Sequence, residues 1–207
     1  MNLATTATTA RVLLLVDAVG RASPHRVSDL DLTRLAYFVD AFSPLWGLRP
    51  LERYRLKVDE PRSRLVRMAL SRLVLAGVIE PSAISVVSEP TPHLSARYRV
   101  HPELASPILR AIGATDDGRR EMELVDEIVY ASAGMLDGTL AEALRRDATF
   151  SDSRIGPTDV LDLEPSSGGT AAAARLFQRG VASQAVAEAE LTHLYMAHLE
   201  RLIARDR

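Results

Sequence analysis

The sequence holds five histidines and no cysteine. Disulfides, thiolate metal sites and cysteine nucleophiles are therefore excluded together. Metal or acid–base chemistry is left to His25, His93, His101, His193, His198 and the carboxylates. His193 and His198 stand five residues apart, about 140° around a helix, whereas histidines chelate one ion at a spacing of four. Glu190 and His193 are three apart and can meet on one helix face, where a solvated pair explains them. Thirteen acids lie between Asp116 and Glu164 against five basic residues, at spacings that suit helix surfaces more than a pair of catalytic carboxylates. No Gly-x4-Gly-Lys-Ser/Thr phosphate loop occurs, and Gly168-Gly169 has no lysine after it. There is no Gly-x-Ser-x-Gly nucleophile elbow. The sequence reads as a non-enzyme, with no catalytic residue, no metal and no cofactor.

What remains is the chemistry of recognition, and it falls to arginine. Arg62, Arg64, Arg67 and Arg72 occupy a stretch without a single acid. At 100° per residue, Leu65, Val66, Ala69, Leu70 and Leu73 gather on one side of a helix, with Arg64, Arg67 and Ser71 within about 60° on the other. Guanidinium forks fit phosphates, guanine edges and carboxylates, so contact with double-stranded DNA, contact with a protein and simple solvation all stay open. Arg97 and Arg99, on one side of a β-prone run, would add backbone contacts to DNA. Trp46, the only tryptophan, is either a core plug or an interface anchor. Asp40 stands in an apolar run, where capping or pairing with an arginine is expected.

The elements that must position these residues follow from period and punctuation. Met1 to Thr8 reads as a flexible arm. Thr9 then caps a first helix carrying Val12, Leu13, Val16 and Val19, which stops at Gly20. Ser28 or Asp29 caps a second helix from Leu30 to Phe42, closed by Ser43-Pro44. Pro61 fits the first turn of a third, from Arg62 to about Ala76, with Gly77 as its stop. Two β-prone runs, Ile84 to Val87 and Ala96 to Val100, bracket a proline-bearing loop. Residues 102–165 read as a helical region, divided at Gly134 and Gly138. Pro165 to Gly169 reads as a linker, and an amphipathic helix from Thr170 to Asp206 carries Leu191, Leu194, Tyr195, Leu199, Leu202 and Ile203 along one face. Gly180 can break it once. Because that face follows a linker, Leu194, Tyr195, Leu199 and Leu202 are candidates for a homodimer interface.

Net charge is −2 over 207 residues, but residues 1–100 hold 14 basic and 9 acidic side chains and residues 101–207 hold 11 and 18. The halves thus carry +5 and −7. Either they serve different partners, or the acidic half pairs with the basic half of the same or a neighbouring chain. The longest apolar run near the N-terminus, Val12 to Val16, is too short for a membrane span of about 20 residues, and no signal-peptide pattern accompanies it. A cytoplasmic protein is expected.

Helix, helix, a third helix ending in Leu75-Ala76-Gly77-Val78-Ile79, then a long hairpin: this order resembles the winged helix-turn-helix family across residues 9–101. The expected fold is mainly α with a small β-hairpin, the wing, plus a C-terminal helical extension. Within that group, Tyr37-Phe38-Val39-Asp40-Ala41-Phe42-Ser43-Pro44-Leu45-Trp46-Gly47-Leu48, followed by Leu73-Val74-Leu75-Ala76-Gly77-Val78, looks like the middle components of bacterial three-component ATPase defence systems. That resemblance implies an adaptor that joins a protein partner such as an ATPase. The alternative it leaves is a dimeric winged-helix transcriptional regulator.

Overall fold

Six consecutive residues, Arg11 to Val16, are buried, and a helix covered on every side must stand at the centre of its fold. In the computed structural model, which describes residues 3–23, 26–57, 63–87, 93–136, 138–152, 154–156, 159–163, 169–180 and 186–206, that helix is α1 (Leu3–Ala22). It begins within the segment expected to be a flexible arm. Thr9 does not cap it but lies inside it, its hydroxyl donating to the Thr5 carbonyl at 2.7 Å, and Thr8 is buried.

After α1 come β1 (Val27–Ser28), α2 (Asp29–Phe42), a 3-10 turn (Ser43–Trp46), β2 (Tyr54–Leu56) and α3 (Arg64–Leu75). The hairpin β3 (Ile79–Val87) and β4 (His93–Val100) follows, then α4 (Pro102–Gly113), α5 (Asp116–Ser132), α6 (Leu140–Arg146), β5 (Val160–Asp162), α7 (Thr170–Gly180) and α8 (Glu188–Arg205). The fold is mainly helical with small antiparallel sheets. Ser28 caps α2, its Oγ accepting from the Asp31 amide at 3.0 Å. Ser63 caps α3 in the same way, through the Val66 amide at 3.0 Å. That cap starts α3 at Arg64; Pro61 and Arg62, expected to open the helix, lie outside the described residues.

The first sheet has the order β1-β4-β3. Val27 pairs with Tyr98, and the hairpin runs from Ile79 opposite Val100 to Val87 opposite His93. Its strands are longer than the two β-prone runs suggest, because the ladder continues past an irregularity between Ser82 and Ser85, where Ala83 takes a φ of +48°. A second sheet joins β2 to β5, Arg55 opposite Leu161. β5 lies in a stretch without legible period.

The core does not stop at residue 101, where the sequence reading places a boundary. One buried cluster runs from Val12 through Val129 to Ile203. α5 packs on α1 and α2, and α8 packs on α5, α6 and α7. The expected helix from Thr170 to Asp206 is two helices, with residues 181–185 outside the described set. Of the expected linker, only Gly169 is described; its φ is +81°. The residue after it is anchored, the Thr170 amide donating to Thr149 Oγ1 at 2.8 Å.

Candidate functional site

α3 supplies the face that most resembles a working surface. Val66, Ala69, Leu70 and Leu73 are buried beneath it. The helix ends in a left-handed glycine: Gly77 has a φ of +71°, the Val78 amide donates to the Leu73 carbonyl at 3.0 Å, and the Gly77 amide donates to Val74 at 3.0 Å. This crossed pair of bonds satisfies the last carbonyls and buries Val78 against the helix end. With both ends capped, the outward face is held rigidly. It presents Arg64, Met68, Ser71 and Leu75 in one stripe, flanked by Arg67 and Arg72, and every one of these six side chains is exposed. Leu75 is 88% exposed. The side chains of Arg64, Arg67 and Arg72 have no hydrogen-bond or ion-pair partner among the described residues.

The other sequence-derived candidates divide. Arg97 and Arg99 both have partners within the chain. Arg97 is half-buried and donates to the Arg26 carbonyl at 3.1 Å, while Arg99 is bound to Glu80 at 2.6 Å across the β3–β4 ladder. Arg62 lies outside the described residues. Trp46 is half-buried on the core, and its indole N–H donates to Thr192 Oγ1 at 3.2 Å. Tyr195 and Leu199 are buried inside the chain's own core, and Leu194 and Leu202 are half-buried. Tyr195 and Leu199 thus serve the chain's own packing of α8 on α5, α6 and α7, and Leu194 and Leu202 stay partly exposed. His193 meets Glu127 at 2.5 Å, not Glu190. Among the described residues no group of three or more His, Asp or Glu side chains could hold a metal ion.

Two buried polar clusters were only partly legible in the sequence. Asp40 pairs with Arg11 and, at 2.6 Å, with Arg55, and also accepts from the Leu51 amide at 2.7 Å. Arg11 continues to Glu121, with Nη2 at 3.0 Å from Oε2, and Arg55 Nε lies 3.4 Å from Glu52. Burial alone would lower the Arg11 pKa, but Asp40 and Glu121 outweigh it and hold the guanidinium above its ordinary value. The cavity beside this chain of charges, between Thr8, Arg55 and Val66, is about the size of one water molecule. No organic substrate fits there.

The second cluster centres on Asp147, which is fully buried. It accepts from Tyr37 at 2.7 Å, Tyr195 at 2.9 Å, Thr170 Oγ1 at 2.7 Å and the Thr149 amide at 3.1 Å. Burial first, and the Asp147 carboxylate second, push both phenols above their ordinary value, so both stay protonated. The cluster joins α2, α7 and α8 to the end of α6. With its acceptors filled by the chain itself, its work is structural.

No protein-family model, curated protein or solved structure matches this chain. Among the described residues, no helix is long and apolar enough to cross a membrane.

Charge completes the geometry. Arg11 to Glu121, Arg21 to Asp126 at 2.6 Å and Arg53 to Asp162 at 3.0 Å all join the basic half to the acidic half of the same chain. The asymmetry between the halves is thus partly spent internally. What it leaves over includes the three unpaired arginines of α3.

Proposed function

We propose that this chain is a winged-helix adaptor in a bacterial ATPase-based complex, either of a defence system or associated with the chromosome. Three helices with a three-stranded sheet of order β1-β4-β3 support the winged-helix reading, since the first short strand closes on the second strand of the wing. The observation that carries the binding role is the outer face of α3, capped at both ends, exposed and unpaired among the described residues. A recognition helix of this kind projects its side chains into a partner. Its composition favours protein over nucleic acid. Exposed Met68 and Leu75 among arginines match the anchors of protein interfaces, and Ile84 and Val86, exposed on the wing, give nothing to a phosphate.

A second reading, a dimeric winged-helix regulator bound to duplex DNA, draws on Arg64, Arg67 and Arg72 being free. Three phosphate contacts predict a log–log salt slope of about −2.7, or a loss of about 40-fold in affinity between roughly 50 and 200 mM salt. Anisotropy of a labelled duplex measures this. The adaptor reading expects no such salt-dependent binding, and expects co-purification with an ATPase encoded beside the gene. Tight, steeply salt-dependent duplex binding without an associated ATPase would reverse the order of the two.

A further inference from the structure

The apolar part of the α3 stripe does not end with the helix. Leu104, the third residue of α4, has its Cδ1 3.7 Å from where a side chain on Gly77 would begin, just beyond Leu75. Ile108 follows one turn along α4. Leu104 is 45% exposed and Ile108 38% exposed, while Ala105 between them is buried against the core. The surface is therefore graded. Arg64 and Arg67 occupy its start, Met68 and Arg72 its middle and Leu75 its end, with Leu104 close to Gly77 just past the helix.

We propose that this graded surface is a docking face for an acidic amphipathic helix of a partner protein, its carboxylates on Arg64, Arg67 and Arg72 and its apolar edge on Leu75 and Leu104. The inference rests on the adaptor reading and names the chemistry of the partner. Charge complementarity selects the occupant. Unpaired guanidiniums next to exposed leucine cannot be satisfied by an apolar helix, and phosphates would leave the leucines wet. A second copy of this chain also offers exposed acids, Glu188, Glu190 and Glu200 on α8 among them. Concentration-dependent shifts of the α3 amides without any peptide would therefore assign the surface to self-association and overturn the proposal. From Arg64 to Leu75 the stripe is about 17 Å long, enough for three turns of a partner helix.

The test uses the full chain, labelled for amide NMR, and three probes: a synthetic amphipathic helix with glutamates flanking a leucine stripe, the same peptide with lysine for glutamate, and a short DNA duplex. The acidic peptide is expected to shift the amides of residues 64–75 and 104–108 and to outbind the other two. R67A/R72A should weaken it about tenfold, as loss of charged hydrogen bonds does, and L75S/L104S about fivefold, from apolar area alone. No shift with the acidic peptide, shifts elsewhere, or equal binding of the lysine peptide overturns the proposal. So does duplex binding at these residues that L75S/L104S leaves unchanged. An ATPase that co-purifies equally with wild type and with R67A/R72A/L75S keeps the adaptor and removes this surface. Mapping of the acidic peptide to the surface without an associated ATPase does the reverse.

Discussion

Asp40 and Asp147 are both buried carboxylates, held by opposite means. Asp40 sits between two guanidiniums, so removing it leaves buried Arg11 with Glu121 alone and buried Arg55 with the more distant Glu52. Asp40→Ala is expected to cost about 3–5 kcal/mol, read as a lower denaturation midpoint in urea. Asp147 has no cation among its partners in the described residues and rests on hydroxyl and amide donors. Asp147→Asn keeps the shape but points an amide donor at hydroxyls that were donating to it, for an expected loss of about 1–3 kcal/mol. The phenols beside it set an alkaline limit. Tyr37 and Tyr195 are held above the ordinary value of 10, so the folded form retains protons that the unfolded chain releases. Stability is then fully present below about pH 10 and falls as pH rises beyond it, by about 1.4 kcal/mol per pH unit for each such tyrosine. Urea titrations between pH 8 and 11 would show the fall, and a flat profile would contradict it. Of these residues only Asp40 was legible beforehand, as a charge in an apolar run. Asp147 gave no such sign, because its partners come from positions 37, 149, 170 and 195, which no local period connects.

At the scale of elements, α3 was the most legible part of the chain, since a helix with one buried and one exposed face writes its geometry into a single turn-by-turn period. Its capping was legible at one end only. Gly77 marks the stop, whereas the start passed from the expected proline to Ser63. Gly77→Ala places a Cβ at a φ of +71° and is expected to cost about 1 kcal/mol, with a matching drop in Tm. Arg67→Ala, by contrast, should change stability by less than about 0.5 kcal/mol, as exposed sites without partners do. Measuring both variants separates the helix as scaffold from the helix as surface. The strands were harder to read. β1 and β5 hold two and three residues, too few for alternation to register. The engagement of Arg97 and Arg99 depends on strand pairing that brings in Arg26 and Glu80.

For the whole molecule, the decisive fact is that α1 is shared. Its buried face packs on α3 and on α5 alike, and Arg11 binds both Asp40 in α2 and Glu121 in α5. A fragment ending at residue 101 would strip α5 from α1 and leave Arg11 half-paired. It is expected to lose cooperative unfolding, seen as a broad thermal transition by circular dichroism and as dye binding to exposed apolar surface. The full chain should melt in one transition. An independently stable fragment would restore the boundary at residue 101 that the winged-helix resemblance suggested.

That sharing also bears on how the chain is made. Arg11 and Glu121 lie 110 residues apart. A ribosome adding about 5–20 residues per second takes on the order of ten seconds to travel from one to the other. Throughout that interval the central helix α1 has emerged without the part of its cover that α5 supplies, which makes the nascent chain, more than the finished protein, the form that exposes apolar surface to a chaperone.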